Sequence, residues 1–289
     1  VTLAVFDPKT ALDLIAQHGI TDSLGVPTML AAIAEEQLIR PRKIDTLRTL
    51  AHGGSPIATE ILRRTHSAFP GAELVEVYGA TELSPLCTVL NNEQNLINSP
   101  LARSCGRPTV GNEIDILDPS GHTLLSGEIG EVVVRGANVM QGYWNKPEQT
   151  AAVLKDGAYW TGDLGYMDDQ GYVFLVDRSK DMIVTGGENV YCTEVEEVLY
   201  QHPAILEAAV FGVPDDKWGE AVWAVIVPRE GNETESAQII EFCRERIAGY
   251  KVPKGIDVQL DPLPKSGPGK VLKRELRAPH WEGQERSVN

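Results

Sequence analysis

Cysteine is scarce in this chain, with 4 among 289 residues. They stand at positions 87, 105, 192 and 243 and form no C-x-x-C pair, which excludes a zinc ribbon and a thioredoxin-like redox motif and suits a reduced, cytoplasmic setting. Positive charge is also short. Lys and Arg number 26 against 41 Asp and Glu, a formal charge of −15, and that balance argues against a general binder of nucleic acid or anionic membranes. Any anionic ligand must be met by local cations. The longest apolar run, Ala221 to Val227, falls far short of the roughly 18–20 residues of a membrane-spanning helix. No secretory leader profile, internal repeat or low-complexity tract is visible. What is present suffices for real cores: 42% of residues are hydrophobic, and the length favours two domains.

The pattern along the chain changes twice. Asp7-Pro8 opens a helix, with Asp7 as N-cap and an apolar stripe at Leu12, Ile15 and Ala16, and Gly19 closes it. A second helix follows Pro27. Leu47 to His52 reads as a buried strand running into Gly53-Gly54-Ser55-Pro56, then a helix over 57–68 capped by Ser55, then a strand over Glu73 to Tyr78 ending at Gly79. Strand, glycine turn, helix, strand is the grammar of a parallel sheet, whose ligands gather at strand carboxyl ends. Beyond residue 100, short runs at 113–117, 130–135 and 172–176 between turn residues predict a small antiparallel sheet or barrel. Beyond Arg178, strands at 182–185, 208–213 and 221–227 alternate with helices at 193–201, 236–247 and 271–277. Thr193-x-x-Glu196 reads there as a capping box. The expected fold is α/β plus β-barrel and α+β: a large unit over 1–178, with a parallel part to 100 and an antiparallel part from 101, a hinge at 179–181, and a small mobile α+β domain over 182–289.

Four segments carry candidate chemistry: Tyr78-Gly79-Ala80-Thr81-Glu82; Thr161-Gly162-Asp163; Asp177-Arg178-Ser179-Lys180-Asp181 with Gly186-Gly187-Glu188-Asn189; and Pro264-Lys265-Ser266-Gly267-Pro268-Gly269-Lys270. Singly, each has a bland explanation as a cap, a hairpin turn or a solvated basic loop. The last is no Walker loop, since Pro264 and Val271 stand where Gly and Ser/Thr are required.

Taken together and in this order, the four segments resemble the adenylate-forming superfamily, and within it the AMP-forming acyl-CoA synthetases. Gly53-Gly54-Ser55-Pro56, Gly127-Glu128-Ile129-Gly130-Glu131 and Gly142-Tyr143-Trp144-Asn145-Lys146-Pro147-Glu148 extend the likeness from about Phe6 to Arg277. The resemblance implies that a carboxylic acid and ATP give an acyl-adenylate and pyrophosphate, after which the acyl group passes to coenzyme A. It implies an adenine slot from Gly53, Gly54, Ser55 and Pro56 on one side and Tyr78 with Gly79 on the other, and a phosphate contact from Thr81. Glu82 is the implied Mg2+ ligand. Asp163 would accept from the ribose hydroxyls, and Arg178 would add a ribose or phosphate contact. Lys270 matches the adenylation lysine, which bridges the carboxylate and the α-phosphate, so Lys270, Thr81 and Glu82 are the implied catalytic set. Lys180 matches the hinge, and Gly186, Gly187 and Glu188 the segment lining the coenzyme A path in the second pose. Five cations against one Glu between Leu263 and Arg277 suit an anionic ligand in an otherwise acidic chain.

Two departures qualify the expectation. The family's phosphate loop ending in Pro-Lys-Gly is not among these residues, so the chain is expected to correspond to the C-terminal half or more of a complete enzyme and to adenylate poorly alone. Cys192 stands where many relatives carry Pro and is read as a packing residue. Ala80 and the run Val184 to Val190 look like fatty-acyl or aryl ligases, so a medium- or long-chain fatty acid is the expected substrate and an aryl or alicyclic acid the runner-up. A non-catalytic fragment binding AMP, acyl-adenylate or coenzyme A is the rival reading.

Overall fold

A computed structural model describes residues 1, 3–93, 97–232, 235–267 and 269–282; Pro268 of the lysine loop lies outside them. The chain divides into two compact units, Val1–Leu175 and Val176–Asn289.

The first unit opens with helix α1 (Pro8–His18), capped as its sequence dictates: Asp7 accepts the Thr10 amide at 2.7 Å, and Gly19 takes φ 60° to end the helix. Leu12 and Ile15 are buried, but Ala16 is exposed, so the apolar stripe is narrower than read. Strand β1 (Asp22–Gly25), helix α2 (Pro27–Ile39), strand β2 (Thr49–Gly53), helix α3 (Thr59–Ala68) and strand β3 (Glu73–Tyr78) follow. The three strands are parallel, with His52 opposite Glu76 and Gly53 opposite Val77. Ser55 does not cap α3: the helix starts two residues later than expected, after Ala58, with no side-chain cap. Strands β4 (Thr88–Leu90) and β5 (Arg107–Pro108) extend this sheet antiparallel. Leu12, Ile33, Leu50, Leu62 and Leu74 form the core between helices and sheet, each worth about 2 kcal/mol of transfer free energy.

The second sheet comprises β6 (Asn112–Leu117), β7 (Gly130–Gly136), β8 (Leu154–Lys155), β9 (Ala158–Met167) and β10 (Val173–Arg178), in the order β10-β9-β7-β6 with β8 against β9. Helix α4 (Pro147–Val153) precedes β8. Tyr78, Cys87, Ile116, Val132 and Tyr159 share one core cluster, so the end of β3 and the second sheet are packed as a piece.

The second unit contains β11 (Ile183–Thr185), β12 (Glu188–Val190), α5 (Cys192–Tyr200), β13 (Ile205–Asp215), β14 (Gly219–Pro228), α6 (Ser236–Arg244), β15 (Gly255–Val258) and α7 (Lys273–Arg277). Its sheet runs β12-β11-β14-β13, with β15 parallel on β14. Both faces of β13 are covered: Ala208 and Val210 face one cluster with α5 and α6 residues, and Ala209, Phe211 and Val213 face another with Leu263, Val271 and Leu276. That two-sided burial is why β13 and β14 read as continuous apolar runs. The capping box at Thr193 is not formed. Thr193 donates its hydroxyl to the Val176 carbonyl, and Glu196 turns away to accept from the Val210 amide at 2.8 Å. Tertiary partners outcompete the local box. Cys192 is fully buried, with burial pushing its thiol well above its ordinary range, as a packing residue should be.

Candidate active site

The first unit assembles its polar residues at the end of β3. Gly53 must be glycine, because a Cβ there would meet the Val77 carbonyl oxygen at 2.2 Å, and Gly54 turns the chain at φ 84°. Gly79 is equally constrained, with the Pro85 carbonyl 2.0 Å from a built Cβ. These close backbone approaches seat the 53–56 turn beside the end of β3. Ser55 is half-buried and Pro56 exposed in that turn.

Tyr78 closes β3 with its ring 9% exposed, and its hydroxyl donates to Asp163 Oδ2 at 2.9 Å. The sequence reading gave these two residues separate ligand contacts, and the structure links them directly. Burial, then the neighbouring Asp163, drives the Tyr78 phenol well above its ordinary value, so it stays a donor. Asp163 itself is held from the backbone up. Gly162 takes φ 73°, its amide donates to Glu131 Oε1 at 2.9 Å, and Thr161, anchored to the Val132 carbonyl at 2.7 Å, accepts the Asp163 amide at 3.0 Å. Cys87 stands nearby as an inert neighbour, its thiol pushed up to about 12 by burial and by Asp163.

Thr81 and Glu82 form a 3-10 turn over Thr81–Leu83, with Thr81 exposed and Glu82 half-buried. Tyr143 donates its hydroxyl to Glu82 Oε1 at 2.7 Å, and the Glu82 carbonyl accepts the Met140 amide at 2.8 Å. One carboxylate oxygen is thereby fixed and the other oriented. Neither Tyr143 nor Glu131 stands among the candidate residues that the four segments supply. Their contacts span 61 and 31 residues of sequence, and only their positions inside recurring runs hinted at them.

The second unit holds Arg178, Lys180, Gly186, Gly187, Glu188 and Lys270. Arg178 and Lys180 are exposed, and the Arg178 amide donates to Asp177 Oδ1 at 2.8 Å, while Asp177 Oδ2 accepts the Cys192 amide at 2.6 Å. Burial raises the Asp177 carboxyl above the usual carboxylate range. Gly186 and Gly187, at φ 60° and 86°, are the two-residue turn of the β11–β12 hairpin, which only glycine-like residues allow in both places. Gly186 also lies against Trp218, whose ring would be 2.7 Å from a built Cβ.

Lys270 ends a tight loop. The Ser266 amide donates to the Lys270 carbonyl at 2.8 Å, the Lys270 amide to Ser266 Oγ at 3.1 Å, and Lys265 bridges to Val271. Cations flank it, yet they are engaged at home. Lys265 pairs with Glu207 at 2.6 Å and Lys273 with Glu196 at 2.7 Å. Burial disfavours the Lys273 charge, but Cys192, Glu196 and Asp177 around it outweigh that and raise its pKa. The local excess of positive charge read from the sequence is therefore partly spent on fastening the loop to β13 and α5.

Comparison with known proteins agrees with this layout. The profile of the AMP-binding enzyme family matches residues 1–144, and that of the AMP-binding enzyme C-terminal domain matches residues 194–270. The chain is 42% identical to a feruloyl-CoA synthase of Amycolatopsis sp over 95% of its own length and 55% of the relative's. It is 38% identical to a long-chain-fatty-acid–CoA ligase of Bacillus subtilis strain 168, over 96% and 48% respectively. The solved structure of O-succinylbenzoate coenzyme A synthetase from Bacillus subtilis, in complex with ATP and a magnesium ion, superposes with a TM-score of 0.79 at 33% identity, covering 94% of this chain and 54% of that one. The chain thus spans about half the length of the curated relatives it matches. With both family profiles in order, the chain belongs to the AMP-binding, adenylate-forming enzyme family.

Proposed function

We propose that this chain supplies nucleotide-handling and lysine-bearing residues of an AMP-forming acid–CoA ligase. In that reaction a carboxylate oxygen bonds to the α-phosphorus of ATP as pyrophosphate leaves. The thiol of coenzyme A then bonds to the acyl carbon as AMP leaves and the thiol proton is released. The observation that carries the reading is the Tyr78–Asp163 hydrogen bond at 2.9 Å. It fixes one oxygen of a backbone-supported carboxylate and leaves the group oriented to accept from a ribose diol, the logic of acidic residues in dinucleotide folds. The 53–56 turn, Gly79 and Tyr78 would border the purine, and Thr81 would meet a phosphate oxygen.

The Glu82 carboxylate fits Mg2+, a hard ion that takes one or two carboxylates and completes its shell with phosphate and water oxygens. Bound there, the ion would neutralise phosphate charge. Tyr143 holds Glu82 for that task. Lys270 would place its ammonium against the substrate carboxylate and the α-phosphate, worth on the order of 4 kcal/mol at about 4 Å and an effective dielectric near 20. Arg178 would add a ribose or phosphate contact, residues 179–181 with Lys180 would act as the hinge, and Gly186, Gly187 and Glu188 would line the coenzyme A path.

A medium- or long-chain fatty acid is the favoured substrate. An aryl acid is the second reading, supported by the 42% identity to a feruloyl-CoA synthase. A cytoplasmic setting is supported by four free, buried cysteines; among the described residues no helix is long and apolar enough to cross a membrane. The test, run on a full-length enzyme that carries this chain, is acid-dependent exchange of labelled pyrophosphate into ATP over a panel of fatty and aryl acids, followed by thioester formation. Exchange with none of them would overturn the ligase reading, and AMP binding without exchange would favour the rival of a non-catalytic binding fragment.

A further inference from the structure

A second cluster of ligand-type side chains lies under the first sheet and takes no part in the chemistry above. His52 on β2 faces Glu76 on the neighbouring β3, and Glu93 reaches them from the segment after β4. His52 and Glu93 are fully buried and Glu76 is 9% exposed. One donor atom from each lies within 4.8 Å of the others, and His52 Nε2 is 2.6 Å from Glu93 Oε2. Two further atoms of the same residues, Glu93 Oε1 and His52 Nδ1, are buried without a hydrogen-bond partner. A buried carboxylate oxygen left unpartnered costs on the order of 1–3 kcal/mol or more. Two carboxylates this close also repel unless one holds a proton, the direction in which burial and Glu93 push Glu76, or a positive charge stands between them.

We propose that His52, Glu76 and Glu93 form a structural site for a borderline divalent cation of the Zn2+ class. One imidazole nitrogen with two carboxylates is a donor set that this class accepts, and the second Glu93 oxygen, Oε1, would supply the fourth donor of a structural site. Donors bound at about 2.1 Å lie roughly 3–4 Å apart around one ion, so the His52–Glu93 pair must open from 2.6 Å while any pair near 4.8 Å closes, both within the reach of side-chain shifts. A dication would neutralise both carboxylates and give the unpartnered Glu93 oxygen an ion to bind. The site differs from that of Mg2+ at Glu82, where a single carboxylate meets phosphate oxygens. Because Glu76 and Tyr78 lie on the same buried face of β3, and His52 immediately precedes the Gly53-Gly54 turn, an ion here would clamp the strands that carry the nucleotide residues.

The test uses this chain after exhaustive chelation. Titration with Zn2+ against a chromophoric chelator should show one tight equivalent and a raised melting temperature. Glu93→Gln should weaken that equivalent by roughly a hundredfold, with circular dichroism verifying its fold. X-ray absorption on the zinc-loaded wild-type chain provides a readout that needs no variant: a first shell of one imidazole nitrogen and carboxylate oxygens at about 2.0–2.2 Å. No tight equivalent, a shell without carboxylate oxygen, or unchanged affinity in a folded Glu93→Gln protein would each overturn the site and leave a proton-sharing triad in its place.

Discussion

The two units hold their candidate functional groups by different means. In the first, such residues hold each other: Tyr78 bonds Asp163, and Tyr143 bonds Glu82. In the second, Lys270 lies in a loop whose base is fastened by residues with no ligand role, through Lys265–Glu207 and Lys273–Glu196. Direct linkage couples binding residues to one another, so a change at one shifts its partner. Peripheral fastening holds the backbone of the lysine's loop in place through side chains other than its own. A nucleotide platform and a lysine that acts in one step only would need these two kinds of support.

Substitutions can break this contrast, and the largest effect belongs to Lys270. In a full-length enzyme that carries this chain, Lys270→Ala should lower acid-dependent pyrophosphate exchange by roughly a hundred- to a thousandfold, as loss of up to about 4 kcal/mol implies. Acyl transfer from a preformed acyl-adenylate to coenzyme A should survive. Equal loss of both half-reactions would remove Lys270 from its assigned step. In the same complete enzyme Lys180→Pro should do the opposite: exchange is retained and thioester formation falls by more than about tenfold, the equivalent of 1.4 kcal/mol. Stopped-flow comparison of the two half-reactions checks both variants.

Fastening is tested by stability. Glu196→Gln leaves Lys273 largely buried without its partner and should cost the second unit about 3 kcal/mol in denaturant unfolding near pH 8. The sign with pH follows from linkage. Lys273 has a folded-state pKa raised above its unfolded value, so its contribution is fully present below about pH 10 and fades as alkali titrates it. The gap between wild type and Glu196→Gln should therefore narrow at alkaline pH, and again in acid, where the Glu196 carboxyl, held above its ordinary value by burial, takes up a proton. A gap unchanged into strong alkali would assign the stabilisation to another group. The smallest effect is expected at Tyr143→Phe. Loss of one partly exposed hydrogen bond to a carboxylate should cost about 1 kcal/mol and raise the KM for Mg·ATP several-fold with little change in kcat.

Much of this site was legible in the sequence, for a definable reason. Gly53, Gly79, Gly162, Gly186 and Gly187 sit where a Cβ would clash or where φ is positive, so local chemistry fixes them and the runs around them are recognisable. The capped helix α1 and the strand β3 were readable for the same reason, since Asp7, Gly19 and the alternation of Glu73–Tyr78 are local signals. Supporting residues were not. Glu207 meets Lys265 across 58 positions, and Glu131 meets the Gly162 amide across 31. Nothing at either end announces the other. The Thr193 box failed for a related reason: a distant carbonyl at Val176 and a distant amide at Val210 were better partners than the helix end itself. His52, Glu76 and Glu93 were invisible because their meeting depends on strand register and on burial together.

The most direct measurement is calorimetric titration of AMP into this chain and into its Asp163→Ala variant. If Tyr78 and Asp163 form the nucleoside anchor, the wild-type chain binds one AMP, and removal of the carboxylate weakens binding by about a hundredfold, the equivalent of about 3 kcal/mol in hydrogen bonds to a charged group. Absence of AMP binding to the wild-type chain, or equal affinity in a folded Asp163→Ala protein, would contradict the assignment.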